Sequence, residues 1–123
     1  MTDAARRSPG GPDDVSEWPP PAARFQAILW RAERELERCE FVAAARTLCE
    51  GFDLDEEGLL HALHHLAAAG YKAQSGDVTR ARRQLAHARR RLEPFLPARG
   101  DVDLVGLLSK VSAAVESPGG ELA

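Results

Sequence analysis

The sequence predicts an all-α fold, a compact bundle of about five helices, and three observations support this prediction. Apolar residues recur every three to four positions along most of the chain, as they do on one face of a helix. No segment alternates apolar and polar residues for long, as half-buried strands do. Aromatic residues make up only 6% of the 123 residues although apolar residues reach 44%, and a core of Leu, Ala and Val suits closely packed helices. A chain of this length accommodates one domain with a single core.

Both ends of the chain are predicted to be disordered. Residues 1–21 are rich in Pro, Gly, Asp and Ser, with Trp18 as the apolar anchor before three consecutive prolines. Residues 117–123 contain a Pro-Gly-Gly run. Such segments bury too little apolar surface to offset the conformational entropy that is lost on ordering. The helical domain is therefore predicted over residues 22–116.

The first two helices are predicted over residues 22–38 and 40–51, because each range carries an apolar stripe at helical spacing. Gly51 is expected to cap the second helix, since glycine is common just after a helix C-terminus. The stripes consist of Phe25, Ile28, Leu29, Ala32, Leu36 and Cys39, and then of Phe41, Ala44, Ala45, Leu48 and Phe52.

Three further helices are predicted over residues 55–75, over residues 77–95 and after Asp101. The acids of residues 53–57 suit the positive end of the third helix dipole. Asp77 is a good N-cap for the fourth helix, and Pro94 and Pro97 help to end it. The main apolar positions are Leu59, Leu60, Leu63, Leu66, Ala67 and Tyr71, then Val78, Ala81, Leu85, Ala88, Leu92 and Phe95, then Leu104, Leu107, Leu108, Val111 and Val115.

Short connections predict antiparallel neighbours, so that helices one and two form one hairpin, three and four a second, and the fifth closes the bundle. The two hairpins share a weak internal repeat at an offset of 37 residues. Each copy places a small residue at the start of the second helix of its hairpin, as tetratricopeptide-like repeats do. The repeat matches Glu40-Phe41-x-x-Ala44-x-x-x-Leu48 with Asp77-Val78-x-x-Ala81-x-x-x-Leu85.

Three stretches of the chain carry a resemblance to a known family: Phe41-x-x-Ala44 leading to Leu48 and Phe52, then Gly70-Tyr71-Lys72-Ala73-Gln74-Ser75-Gly76-Asp77, and then Ala81, Leu85, Leu92-Glu93-Pro94 and Gly100-Asp101-Val102-Asp103-Leu104. Over about residues 41–115 this order of features resembles the domain of unknown function 309 family of small bacterial and archaeal helical proteins. The resemblance implies an all-helical scaffold and no assigned activity.

The chain departs from that family at its most polar positions. Where members have His, Glu, Glu and Trp, this sequence has Ala45, Arg46, Cys49 and Phe52. The cluster that could have supported metal or acid–base chemistry is therefore missing. The resemblance carries over the scaffold and no functional residue.

Histidines on the predicted third helix are the candidate metal ligands. His61 and His65 are four residues apart and share one helical face, which is usable ligand geometry. A stable site also needs a third ligand, and no Glu lies between them as in a zinc-protease helix. The alternative is a pair of surface or groove histidines, and we expect neither a metal nor another cofactor.

The fourth helix is the most polarised segment. It concentrates arginines without an acid between Asp77 and Glu93, and we take Arg82, Arg83, Arg89 and Arg90 as candidate interaction residues. They could bind phosphates or an acidic protein surface. Alternatively, their stems cover the helix flanks and their charges pair with acids in helix one and in residues 53–57. A net charge of −3 and few aromatic residues argue against nucleic acid as the partner.

Trp30 is the second candidate interaction residue, because it falls opposite the apolar stripe of helix one. Trp is favoured in interfaces. The N-terminal arm could fold over the ring, a second chain could bury it, or the ring could simply be half-exposed. These alternatives stay open.

No catalytic motif is present. The serines lack an elbow motif, and the Gly-Gly pairs lie in the terminal segments rather than in a phosphate loop. Cys39 and Cys49 are expected to be reduced and buried as small apolar groups, since neither a secretory signal nor a membrane span is evident and the cytoplasm is the expected compartment. The sequence favours a non-catalytic interaction or scaffolding module that binds a protein partner or itself. A small metal-dependent or hydrolytic enzyme and a nucleic-acid-binding accessory protein are the alternatives.

Overall fold

A computed structural model describes residues 18–117, and the prediction of an all-α bundle is confirmed over them. Of the two ends predicted to be disordered, residues 1–21 and 117–123, residues 1–17 and 118–123 lie outside the described residues, whereas Pro21 opens the first helix. The helices are α1 (Pro21–Glu37), α2 (Phe41–Cys49), α3 (Leu59–Gln74), α4 (Val78–Leu92) and α5 (Leu104–Glu116). Strands β1 (Ala98–Arg99) and β2 (Val102–Asp103), which the sequence analysis did not predict, form a small antiparallel hairpin before α5.

The α1–α2 hairpin follows the prediction closely. Proline occupies the first position of α1, where its missing N–H costs no helical hydrogen bond. The chain reverses at Cys39, whose φ of 59° lies in the left-handed region. Gln74 fixes this turn from α3 by donating its Nε2 hydrogen to the Cys39 carbonyl oxygen, at 3.0 Å.

The third helix begins at Leu59 rather than at residue 55. Gly58 precedes it with a φ of 87°, which a helix cannot continue through. Asp55 lies outside the helix and caps it, since its two carboxylate oxygens accept the backbone N–H groups of Leu60 and His61 at 2.9 and 2.8 Å. The acidic run therefore supports the helix from the preceding turn instead of forming its first turn.

Gly51 comes directly after Glu50, the C-cap residue of α2, as predicted, but it does not adopt the left-handed conformation usual for a glycine cap. Its φ is −111°, and it is buried at the close approach of two helices. A Cβ atom at Gly51 would meet the side chains of Ile28 and Leu60. Gly70 has the same role on α3, because a Cβ there would overlap the ring of Phe41. Both glycines allow α2 to pack closely against its neighbours.

The repeated motif falls at equivalent places in the two hairpins. It opens α2 after Glu40 and α4 after Asp77. Its small residues, Ala44 and Ala81, are completely buried. Asp77 caps α4 by accepting the Arg80 N–H at 3.2 Å. The repeated motif thus identified the second helix of each hairpin. The fourth helix was predicted to extend to residue 95, but α4 ends at Leu92 and residues 93–95 form a 3-10 turn.

Four of the helices form a ring around one core. In this ring α2 packs on α1 and α3, and α5 packs on α3 and α1. The remaining helix, α4, lies in the groove between α3 and α5. All five helices contribute buried side chains to the same cluster, including Leu36, Leu48, Leu63, Leu85 and Leu107. This arrangement leaves the outer side of α4 facing solvent, on a different side of the bundle from α1.

The cysteines differ from the prediction. Cys39 is half-buried and packs against the core, but Cys49 is exposed at the end of α2. Both are free thiols. No helix within residues 18–117 combines the length and apolarity needed to cross a bilayer.

Candidate interaction surface

Five of the six arginines of α4 divide into three rows, because residues seven apart share a helical face, and Arg80 lies in the first turn of the helix. Arg82 and Arg89 lie on the flank that faces α5. Arg83 and Arg90 lie on the outermost row, with the small exposed Ala86 between them. On the third flank, which faces α3, Arg91 lies one heptad after Gln84.

Only two of these arginines are neutralised by carboxylates within the described residues. Arg82 lies 3.3 Å from a Glu116 carboxylate oxygen, and Arg80 lies 3.5 Å from one of Asp77. Arg89 donates to the Ser112 hydroxyl at 3.0 Å, which leaves its charge uncompensated. The other arginines of α4 have no carboxylate at ion-pair distance in residues 18–117. They form, with Arg89, a surface that we call the basic ridge: Arg83, Arg89, Arg90 and Arg91.

One alternative from the sequence was that acids of helix one and of residues 53–57 neutralise these arginines. The structure contradicts this pairing. Several of those acids pair with other cations: Asp53 lies 2.6 Å from Arg24, Glu57 lies 2.7 Å from Arg99, and Glu35 lies 3.5 Å from Arg31. The reason is the placement of α4, which packs on α3 and α5 and not on α1. Charges that are complementary in the sequence therefore lie on different sides of the folded chain.

His65 joins α3 to the inner edge of the basic ridge. Its Nδ1 atom lies 2.8 Å from the Gln84 Oε1 atom, and its ring stacks on His87 with ring centroids 5.6 Å apart. Arg90 donates an Nη2 hydrogen to the His87 Nδ1 atom at 3.1 Å, which requires that nitrogen to be unprotonated. Burial lowers the pKa of His87, and the nearby Arg90 guanidinium lowers it further.

His61 turns away from His65 and belongs to a different cluster. Its Nδ1 atom lies 2.6 Å from Asp55 Oδ2, and its ring stacks on Phe52 with centroids 3.9 Å apart. His64 meets the same Phe52 ring edge-on. The two candidate metal ligands thus have separate partners, and the described residues contain no group of three or more His, Cys, Asp or Glu side chains suited to a metal ion.

The Asp55–His61 pair has the form of an acid–base dyad, but its surroundings indicate a structural role. The Asp55 side chain is 0% exposed and already caps α3. Within residues 18–117, no Ser, Thr or Cys side chain is hydrogen-bonded to His61. Two positions at which the chain departs from the resembling family lie near this pair in the sequence. Cys49 is exposed and makes no hydrogen bond to His61, and the ring of Phe52 stacks on the His61 ring. The geometry provides a base without a nucleophile.

Trp30 contacts the β-hairpin of its own chain. Its indole N–H donates to Asp101 Oδ1 at 2.9 Å, although 71 residues separate the two positions. The residue remains 43% exposed to solvent. Neither the N-terminal arm nor a second chain is needed to fix the ring, but its exposed face stays available to a partner.

Four acidic side chains lie near this tryptophan, and Arg34, one turn after Trp30 on α1, lies among them. Glu33 and Glu37 follow Trp30 along the same side of α1, and Asp101 and Asp103 approach from the hairpin. The pKa of the Glu33 carboxyl is raised by its partial burial and then by repulsion from Glu37 and Asp101, while Arg34 opposes this effect. We call this surface the Trp30 patch: Trp30, Glu33, Glu37 and Asp101.

A cavity of about 540 Å³ lies away from both of these surfaces. It opens between the α1–α2 turn and the C-terminal ends of α3 and α5, and its walls are mainly apolar. Gln74 donates to the Cys39 carbonyl there, and Glu116 pairs with Arg82. The cavity therefore presents a mainly apolar surface with a few polar side chains at its edge, among them Gln74, Lys110 and Glu116.

Comparisons of the chain with protein-family models, with curated proteins and with solved structures found no match. The resemblance to the domain of unknown function 309 family and the tetratricopeptide-like character therefore stay predictions. Function has to be argued from the surface chemistry itself.

Proposed function

We propose that this chain is a non-catalytic interaction module that binds an acidic protein surface through the basic ridge of α4. One observation carries the proposal: four arginines of one helix lie on the surface without a carboxylate at ion-pair distance among the described residues. Elsewhere in the described residues, Arg24, Arg31 and Arg99 each have such a partner. Arg34, Arg38 and Arg46 also lack one, but they are spread over α1, its C-terminal end and α2 and do not form a row of four on one helix. The ridge is therefore a place where positive charge stays available for a second molecule.

The chemistry of the ridge suits carboxylates. A guanidinium group presents a planar fork of N–H donors that matches the two oxygens of Asp or Glu. Arginine stems and Ala86 supply apolar contact between the charged ends. Charge of one sign on a convex helix also steers an oppositely charged partner toward the surface before contact.

A protein partner is favoured over nucleic acid for two reasons. Helix α4 carries no Phe, Tyr or Trp that could stack on a base, and its imidazole, His87, is already stacked on His65. The chain as a whole has a net charge of −3, so phosphates approaching other faces meet repulsion. An enzyme of the metal-dependent or hydrolytic class is supported less, because the Asp55–His61 pair lacks a nucleophile.

Fluorescence anisotropy with a labelled polyglutamate peptide at low salt tests the proposal. Arg83→Glu/Arg90→Glu should weaken binding by about tenfold or more, since each reversed charge removes an attraction and adds a repulsion. Arg38→Glu/Arg46→Glu is the matched control, because it changes the net charge equally at exposed arginines outside α4.

Equal weakening by both double variants would contradict a specific role of the ridge. Tighter binding of a labelled DNA or RNA duplex than of the peptide would replace the proposal by the nucleic-acid alternative. Circular dichroism of each variant verifies that the helices are retained.

A further inference from the structure

We infer that the basic ridge of one copy binds the Trp30 patch of a second copy, so that the chain associates with itself head to tail. This inference rests on the proposed function and names the partner. The ridge comprises Arg83, Arg89, Arg90 and Arg91 on α4, and the patch comprises Trp30, Glu33 and Glu37 on α1 with Asp101 on the hairpin.

The basic ridge and the Trp30 patch are complementary in charge, but they cannot form ion pairs with each other within one chain. No arginine of α4 lies at ion-pair distance from Glu33, Glu37 or Asp101 in residues 18–117. The helices that carry them, α4 and α1, lie on different sides of the bundle. A second copy provides the missing contact without any change of fold.

The basic ridge and the Trp30 patch also match in length and shape. Trp30 and Glu37 are seven residues apart on α1, and Arg83 and Arg90 are seven residues apart on α4, so both rows extend about 10 Å along their helices. Ala86 lies between the two arginines and leaves a depression in the ridge. An indole ring placed over Ala86 would have a guanidinium group on either side, which suits cation–π contact.

The Trp30 patch has two features that suit an interface, a fixed aromatic ring and a crowded carboxylate. The Trp30–Asp101 hydrogen bond fixes the indole ring before any partner arrives, so that little side-chain entropy is lost on association. Aromatic and arginine side chains are the residue types most often found at the energetic centre of interfaces. A cation from a second copy would stabilise the Glu33 carboxylate, because the negative charges of Glu37 and Asp101 repel it.

A contact between two different faces of the same chain has a characteristic consequence. Each added copy leaves one ridge and one patch free, so association continues in series unless the geometry closes a ring. The average mass should therefore rise with protein concentration at low salt and fall toward the monomer at high salt, where the charges are screened.

A charge-exchange experiment by sedimentation equilibrium tests the inference on the full chain. The ridge variant, Arg83→Glu/Arg90→Glu, and the patch variant, Glu33→Arg/Glu37→Arg, should each stay monomeric at concentrations where the wild type associates. A mixture of the two variants should associate again, because the mixture contains one intact ridge and one intact patch. Arg38→Glu/Arg46→Glu and Glu40→Arg/Glu56→Arg are the matched controls and should associate like the wild type.

The outcomes separate this inference from the proposed function. A wild type that remains monomeric at low salt, or variants that fail to associate when mixed, would overturn head-to-tail association. If the ridge nevertheless binds the polyglutamate peptide, the proposed function stands with a different acidic partner. If wild-type association is real, the same peptide should compete with it and lower the average mass.

Discussion

His64 is a half-buried imidazole on α3 whose pKa is lowered, first by burial and then by the neighbouring His65 and His61. The folded chain therefore favours the neutral ring. In the unfolded chain the ring takes up its proton near pH 6.5, roughly the ordinary histidine value. We expect the stability that depends on neutral His64 to be fully present above that pH and to be lost as the pH falls through the lower, folded-state pKa.

Chemical denaturation at a series of pH values measures this effect. The free energy of unfolding of the wild type should fall as the pH drops below about 6.5, and His64→Gln should show a smaller fall because its side chain does not titrate. An NMR titration gives the pKa of each ring separately. A His64 midpoint at or above the ordinary histidine value would contradict the prediction.

Single residues also mark the limit of what the sequence could predict. The apolar periodicity correctly places Ala44 and Ala81 in the core. It cannot show that Gly51 is required for close packing rather than for a left-handed turn, because both uses favour the same residue. The Trp30–Asp101 hydrogen bond joins positions 71 residues apart, and only the tertiary fold brings them together.

At the scale of elements, the N-terminus of α5 depends on a single carboxylate. Asp103 Oδ1 accepts the Gly106 N–H at 2.9 Å. Asp103→Ala should lower the free energy of unfolding by about 1 kcal/mol, since it leaves that N–H without its cap. Urea denaturation followed by circular dichroism measures the change.

Asp103→Asn is the control for this cap. An asparagine oxygen can accept the same hydrogen bond, and the substitution removes one of the negative charges that raise the pKa of Glu33. Its stability should stay within about 0.5 kcal/mol of the wild type. If alanine and asparagine destabilise the chain equally, the effect comes from the charge and not from the cap.

The elements themselves were largely predictable, and their boundaries were less so. Helical spacing identified all five helices, because the buried stripe of each helix is continuous in the sequence. The start of α3 was placed too early, since acids next to a helix can lie in its first turn or just before it, and Gly58 decides between the two. The Gly100-Asp101 pair between β1 and β2 is a hairpin signal, but strands of two residues carry no periodicity.

For the molecule as a whole, the candidate surfaces were predictable in composition but not in their partners. The sequence singled out Trp30 and the arginines of α4 because they stand out from the apolar stripes. It could not show that Arg82 pairs with Glu116 while Arg83 has no acid within the described residues, since that depends on α4 packing beside α5. Charge pairing between distant helices is a property of the packed bundle.

The packed bundle also predicts how the molecule unfolds. One continuous core takes side chains from all five helices, so no helix can leave without exposing apolar surface on the others. We expect a single two-state transition, in which far-ultraviolet circular dichroism and Trp30 fluorescence of a Trp18→Phe chain give the same midpoint. Leu107→Ala on α5 should lower both midpoints together, at a cost of about 2–5 kcal/mol, although Trp30 lies on α1. If α5 were instead an independent cover, the circular dichroism signal would lose its α5 share first and the Trp30 midpoint would stay where it was.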